Sequence, residues 1–203
     1  MSEKYFTVNI HAYLDKDAPT YIGEEGLYEL LSDFSCPLNP DVEHFLLHNA
    51  IEFTKKDQSV TYLVLREDTA ELTGYFSLAV KPISVRASAI NKTMARKLAR
   101  VSTLNEEAGV YTTAAYLIAQ LGKNFSIPKE ERIRGADLLD LALDAVANAK
   151  YSVGGVLSFL ECEDKEALMN FYAAGKFKFF DIRATNRPGE KEARYLNQLL
   201  RFI

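Results

Sequence analysis

The stretch from Ala114 to Cys162 constrains the fold more than any other part of the chain. Ala114 to Lys123 is an apolar run closed by Gly122-Lys123, and it reads as a strand. A polar loop follows from Asn124 to Ile133, with Pro128 and the charge cluster Lys129-Glu130-Glu131-Arg132. The clearest amphipathic helix of the sequence then starts near Arg134-Gly135-Ala136, with Asp137 in its first turn. Leu138, Leu139, Ala142, Leu143, Val146 and Ala149 recur there at close to the spacing of one buried face. After Gly154-Gly155, Val156 to Cys162 is a second strand. Strand, helix, strand is a βαβ unit, whose two strands run parallel and whose crossover is right-handed. The chain therefore falls in the α/β class, with a central mixed β-sheet flanked by helices. No linker, repeat or low-complexity segment divides it, so residues 1–203 read as a single domain.

The remaining segments supply the other parts of such a sheet. Residues 4–14 alternate, with Phe6, Val8, Ile10, Ala12 and Leu14 on one face, which predicts a half-buried strand. Glu24 to Phe34 predicts a helix buried through Leu27, Leu30, Leu31 and Phe34. Asp41 to Phe53 predicts another, buried through Phe45, Leu46, Asn49 and Phe53. Val60 to Arg66 and Leu72 to Pro82 read as an antiparallel hairpin. Ile90 to Arg100 is a basic helix with Met94, Leu98 and Val101 on its inner side, and Leu104 to Thr112 reads as irregular. Asp164 to Ala174 is a short helix with Asp164 as its expected N-cap. Phe177 to Arg183 and Tyr195 to Ile203 are strands, separated by the loop Thr185 to Gly189.

Charge and composition exclude several function classes. No apolar run approaches membrane-spanning length, and Met1-Ser2-Glu3-Lys4 lacks the pattern of a secretory signal. Cys36 and Cys162 lie far apart without a CxxC partner, which fits a reducing cytoplasm and argues against a cysteine zinc site. His44 and His48 have the spacing of a helical metal pair, but Phe45 stands where the zinc-protease motif needs Glu. With His11 the only further histidine, no metal is expected. A net charge of −4 excludes a generic nucleic-acid binder, yet the charge is uneven. Between Glu71 and Glu106 there is no acidic residue, while Lys81, Arg86, Lys92, Arg96, Lys97 and Arg100 fall in that interval. Such a block can hold phosphates of a cofactor or of RNA, or can be a solvated face.

The start of the 134–150 helix is also charged in an informative way. A helix N-terminus carries unpaired N–H groups and a partial positive charge, so anions are favoured there. Arg132 and Arg134 nevertheless sit at that end. Either an anion such as a phosphate bridges them, or Glu130, Glu131 and Asp137 neutralise them.

Two sequence patterns carry a family resemblance. Phe171-Tyr172-Ala173-Ala174-Gly175-Lys176-Phe177 is similar to the Phe-Tyr-x-x-x-Gly-Phe ending of the GNAT superfamily of acyl-CoA N-acyltransferases. Phe34-Ser35-Cys36, the Phe45-Leu46 helix and Gly74-Tyr75-Phe76-Ser77-Leu78 resemble the acetyltransferase toxins of toxin–antitoxin modules. The resemblance covers residues 25–203 as order and pattern. The chain departs from it at the phosphate loop, where Glu130 and Ile133 replace a Gln or Arg and a Gly. Lys165 stands where an Asn is expected, and Lys176 where a Gly precedes the last Phe.

The resemblance implies a GNAT-like fold and transfer of an acetyl group from acetyl-CoA to a primary amine by direct attack. It implies that Leu121, Gly122 and Lys123 pair their backbone with the pantetheine arm, and that Arg132, Ile133, Arg134, Gly135 and Ala136 hold the pyrophosphate. Lys165 joins the cofactor side, and Tyr172 is the acid that protonates the departing thiolate. Glu161 and Glu71 are general-base candidates by position. The acceptor is an amine on a small molecule, a protein or an aminoacyl-tRNA, and an antitoxin partner, a homodimer and a cytoplasmic location follow from the same comparison. The competing reading is a non-catalytic GNAT-like module for CoA binding or regulation.

Overall fold

The computed structural model describes residues 4–185 and 193–203. Its strands follow one another along their hydrogen bonds in the order β1-β2-β3-β5-β6-β8-β7, with β4 paired to β5. Two compact units divide the chain, residues 1–79 with 118–145, and residues 80–117 with 146–203.

The first unit begins with β1 (Tyr5–Asn9), antiparallel to β2 (Val60–Arg66), which pairs in turn with β3 (Leu72–Arg86). The predicted strand over 4–14 is cut short. The Asn9 side chain accepts a bond from the His11 N–H at 3.0 Å, and Ile10 turns into the helical region ahead of α1 (His11–Leu14). A local side-chain bond thus competes successfully with the alternating pattern. Next come α2 (Gly23–Leu31) and α3 (Pro40–His44), which runs through a π-helical turn, Phe45–Asn49, into α4 (Ala50–Lys55). That turn fits an extra residue into the helix and rotates the face that follows. Ile51 and Thr54 are buried as a result, while Phe53 is 38% exposed and Asn49 only half-buried, against the expectation from spacing. Leu27, Leu31, Phe34, Phe45, Leu46 and Ile51 pack with Leu63, Leu65 and Tyr75 into one core.

In the second unit, α5 (Lys92–Leu98) is capped by Asn91, which accepts the Met94 N–H at 2.9 Å. The interval read as irregular holds a hairpin instead. β4 (Leu104–Asn105) pairs with the start of β5 (Val110–Lys123). Asn105 closes the turn by accepting the Ala108 N–H on its side chain and the Gly109 N–H on its carbonyl. β5 runs on from this unit into the first, as the helix α6 (Gly135–Val153) runs back. β5 is parallel to β6 (Leu157–Cys162), as the βαβ pattern required, with Tyr116 and Leu117 opposite Ser158 and Phe159. α7 (Glu166–Ala174) follows, then β7 (Lys178–Thr185) and β8 (Arg194–Phe202), antiparallel to each other. Asp164 does not cap α7. Its carboxylate accepts from Asn197, and Lys165 takes the cap position without a side-chain bond. Asn186 to Gly189 of the predicted loop, like Met1 to Glu3, lie outside the described residues.

Candidate active site

Leu121, Gly122 and Lys123 end β5, and Arg132 to Ala136 lead into α6, so the loop between them decides what these residues can do. Asn124 organises its first half. Only 4% exposed, it accepts the N–H groups of Ser35 and Ser126 and the Ser126 hydroxyl on one oxygen, and donates to the Leu72 carbonyl at 2.9 Å. Sequence reading passed over this residue; the signal was a polar side chain directly following a strand end. Arg132 organises the second half. Its guanidinium donates to the carbonyls of Ile127 at 2.7 Å and Phe125 at 2.8 Å, and lies 4.8 Å from the centre of the Phe125 ring. Ile133 is 1% exposed, so its side chain commits the loop to the interior.

These contacts change the accounting of charge. Arg132 faces into its own loop. Arg134 makes two bonds to Asp137, at 2.7 and 2.8 Å, and remains largely in solvent. The pair holds the Asp137 carboxyl below its usual range. Glu131 pairs with Arg66, which also binds Asp68 at 2.7 Å and reaches Glu71 at 3.6 Å. The Glu131 carboxylate is thus drawn towards β2 by a cation that it shares with Asp68 and Glu71, a partner that the linear sequence did not reveal. Glu130 stays exposed. The first bond of α6 runs from the Leu138 N–H to the Arg134 carbonyl. Amides ahead of a first intrahelical bond lack partners within the helix, so Arg132 to Ala136 can offer backbone N–H groups to an anion. The exposed cation nearest these amides in sequence is Arg134, itself paired with Asp137.

Gly122 has a packing reason to be glycine. A Cβ there would meet Val42 Cγ1 at 2.5 Å and the Tyr75 ring at 2.8 Å. Tyr75 cannot give way. It is fully buried, donates to the Val42 carbonyl, and has Phe34 edge-on at 5.3 Å. Burial pushes its phenol well above the usual tyrosine range.

Tyr172 lies near the C-terminal end of α7, three residues before Gly175. The Phe177 N–H donates to the Tyr172 carbonyl at 3.0 Å and the Lys176 N–H to the Ala173 carbonyl at 2.9 Å, the two bonds of a Schellman cap. The residue in the left-handed region is Lys176, with φ +64°, while Gly175 has φ −73°. A lysine therefore holds a left-handed conformation that favours glycine. The cap brings the Phe177 ring against Tyr172, with centroids 6.1 Å apart, and Phe171 flanks the other side at 4.9 Å. Burial, then the neighbouring Cys162, pushes the Tyr172 phenol up to about 12, so it is protonated at neutral pH. Burial followed by Asp164 and Glu163 raises the Cys162 thiol to about 11. Lys165 pairs with Glu163 at 2.5 Å. Of the base candidates, Glu161 is bound by Arg183 and Gln198, and Glu71 lies beside Arg66. The His44 and His48 rings lie 4.6 Å apart and are tilted at 42°, and among the described residues no group of three or more His, Cys, Asp or Glu could hold a metal ion. Among the same residues no helix is long and apolar enough to cross a membrane.

No family profile and no curated protein sequence matches the chain. Solved structures do. AtaT complexed with acetyl-methionyl-tRNAfMet superposes with a TM-score of 0.61 at 15% identity, covering 95% of this chain and 93% of that one. A tyrosine-to-phenylalanine mutant of KacT gives 0.61 at 15% identity, over 97% and 95%. A similar mutant of the AtaT toxin, bound to the C-terminus of the antitoxin AtaR and acetyl-CoA, gives 0.56 at 16% identity, over 98% and 92%. AtaT and KacT thus share the fold of this chain over nearly its whole length. Identities this low show the fold alone and do not transfer a site residue by residue.

Proposed function

We propose that this chain, working as one domain over residues 1–203, is an acetyl-CoA-dependent N-acetyltransferase of the toxin type, with the amino group of an aminoacyl-tRNA as acceptor. The observation that carries the reading is the match over nearly the whole chain to AtaT, solved with acetyl-methionyl-tRNAfMet and, as a mutant, with acetyl-CoA and an antitoxin segment. An antitoxin partner belongs to the same reading. So does a cytoplasmic location, which two free, buried cysteines support.

In this reading the backbone of Leu121, Gly122 and Lys123 aligns the pantetheine arm and polarises the thioester carbonyl. The amides of Arg132, Ile133, Arg134, Gly135 and Ala136 receive the pyrophosphate, while Lys165, held by Glu163, keeps its cofactor-side role from the family resemblance alone. The amine nitrogen attacks the carbonyl carbon, the C–N bond forms, and the C–S bond breaks. Tyr172 gives its phenolic proton to the departing thiolate, and the amine proton leaves to water. A phenol that stays protonated to about pH 12 is always loaded for this step at physiological pH.

Thermal melting in acetyl-CoA tests the binding half. A ligand at a hundred times its dissociation constant stabilises by about 2.7 kcal/mol, or roughly 5–11 °C for a chain of this size. Mass spectrometry of charged tRNA after incubation tests the transfer half. An unchanged melting temperature at millimolar acetyl-CoA would sink the proposal.

A further inference from the structure

The basic interval between Glu71 and Glu106 has a definite shape. It carries six cations and no acid, in a chain whose net charge is −4. The structure sorts these cations. Lys81 is exposed on β3, off the helix, Arg86 is paired with Asp181 at 2.6 Å, and Lys97 lies over the Phe202 ring at 5.2 Å. Lys92, Arg96 and Arg100 are exposed and make no ion pair among the described residues. They fall four residues apart, and the helical winding continues past α5, since the Arg100 N–H bonds the Lys97 carbonyl and that of Val101 the Leu98 carbonyl. Four residues of helix rise about 6 Å, so the three cations form a row along one face. The opposite side of α5 is committed to the core of its unit through Leu98, with Met94 and Ala95 packed against it.

We infer that the outer face of α5, through Lys92, Arg96 and Arg100, is a docking surface for the phosphate backbone of RNA. Charge complementarity selects the partner. A face of unpaired cations meets a row of phosphates well and gains by releasing their counterions. A protein partner would need an apolar centre. Within residues 90–101, all of them described, the large apolar side chain that is exposed is Val101. RNA, and tRNA in particular, is preferred over DNA because the inference rests on the aminoacyl-tRNA reading given above. The surface makes contact with phosphates only, so it contributes affinity and orientation rather than sequence choice.

Binding of uncharged tRNA is measured by fluorescence anisotropy across a salt series, for the parent chain and for the triple variant Lys92→Gln, Arg96→Gln, Arg100→Gln. Removing three phosphate contacts should flatten the slope of log K against log salt by about two to three. A charge-keeping variant, Lys92→Arg, Arg96→Lys, Arg100→Lys, should retain the parent slope. Both variants should melt like the parent and keep its acetyl-CoA shift, because the altered side chains are exposed. An unaltered slope in the Gln variant would overturn the inference, as would salt-independent tRNA binding by the parent. Duplex DNA of equal length bound as tightly, with the same loss in the Gln variant, would overturn the choice of RNA. None of these readings depends on acetyl transfer, so failure of the enzyme proposal would be seen separately, in the acetyl-CoA melt.

Discussion

Replacing Gly122 by alanine tests whether this residue is held by packing or by the cofactor. The added methyl would sit 2.5 Å from Val42 Cγ1 and 2.8 Å from Tyr75 Cε1. Favourable carbon contacts lie near 3.5–4.0 Å, so one neighbour must retreat by about 1 Å. Tyr75 is held by its bond to the Val42 carbonyl and by Phe34 and Phe45, whose rings lie 5.3 and 6.5 Å away. Val42 is itself 6% exposed, in a helix of five residues that leads into the π-helical turn. Overpacking of this kind costs about 1–3 kcal/mol, which for a chain of this length lowers the melting temperature by roughly 2–12 °C. The assay is thermal melting by circular dichroism without acetyl-CoA, so that binding plays no part. Val42→Ala removes the closest atom. The double variant should therefore lose less than the sum of the two single losses, by about 0.5–3 kcal/mol of coupling. A Gly122→Ala chain that melts with the parent, or strict additivity in the double variant, would refute the packing argument.

Tyr172→Phe should lower turnover by about 10²–10⁴-fold while leaving the acetyl-CoA-induced melting shift intact, and equal turnover would remove the residue from the acid role. The Tyr172 phenol is raised in the fold from 10.0 to about 12, so its contribution to stability is complete below pH 10 and is lost as pH rises towards 12; a parent chain whose stability fell less steeply there than that of Tyr172→Phe would contradict the buried phenol. Asn124→Ala strips partners from the Leu72 carbonyl and the Ser35 N–H, and should cost roughly 2–4 kcal/mol with faster hydrogen exchange at Ser35 and Ser126. Lys176→Gly relieves a side chain at φ +64° and should raise stability by about 0.5–1 kcal/mol, read as a higher midpoint in urea.

The sequence was legible where one periodicity ruled a long segment. The 19-residue helix α6 between β5 and β6 made the parallel pairing readable, because each element declares its buried face locally. It was not legible where a single side chain redirected the main chain. Asn9 ends β1, Asn105 closes the β4 turn, and the π-helical turn exposes Phe53. Each of these depends on one hydrogen bond or one inserted residue, to which a pattern of apolar spacing is blind. The candidate site was half legible for a related reason. Sequence placed Arg132, Arg134 and Gly122 in the segments that the proposed function uses, but did not show what the fold needs them for. Arg132 folds its own loop, Arg134 pairs with Asp137, and Gly122 makes room for Tyr75. Such double duty shapes the loop without a glycine at position 133. Arg132 and Asn124 fix the backbone, Arg66 holds Glu131, and the amides ahead of the first α6 bond keep no partner within the helix, which is what the proposed function asks of them.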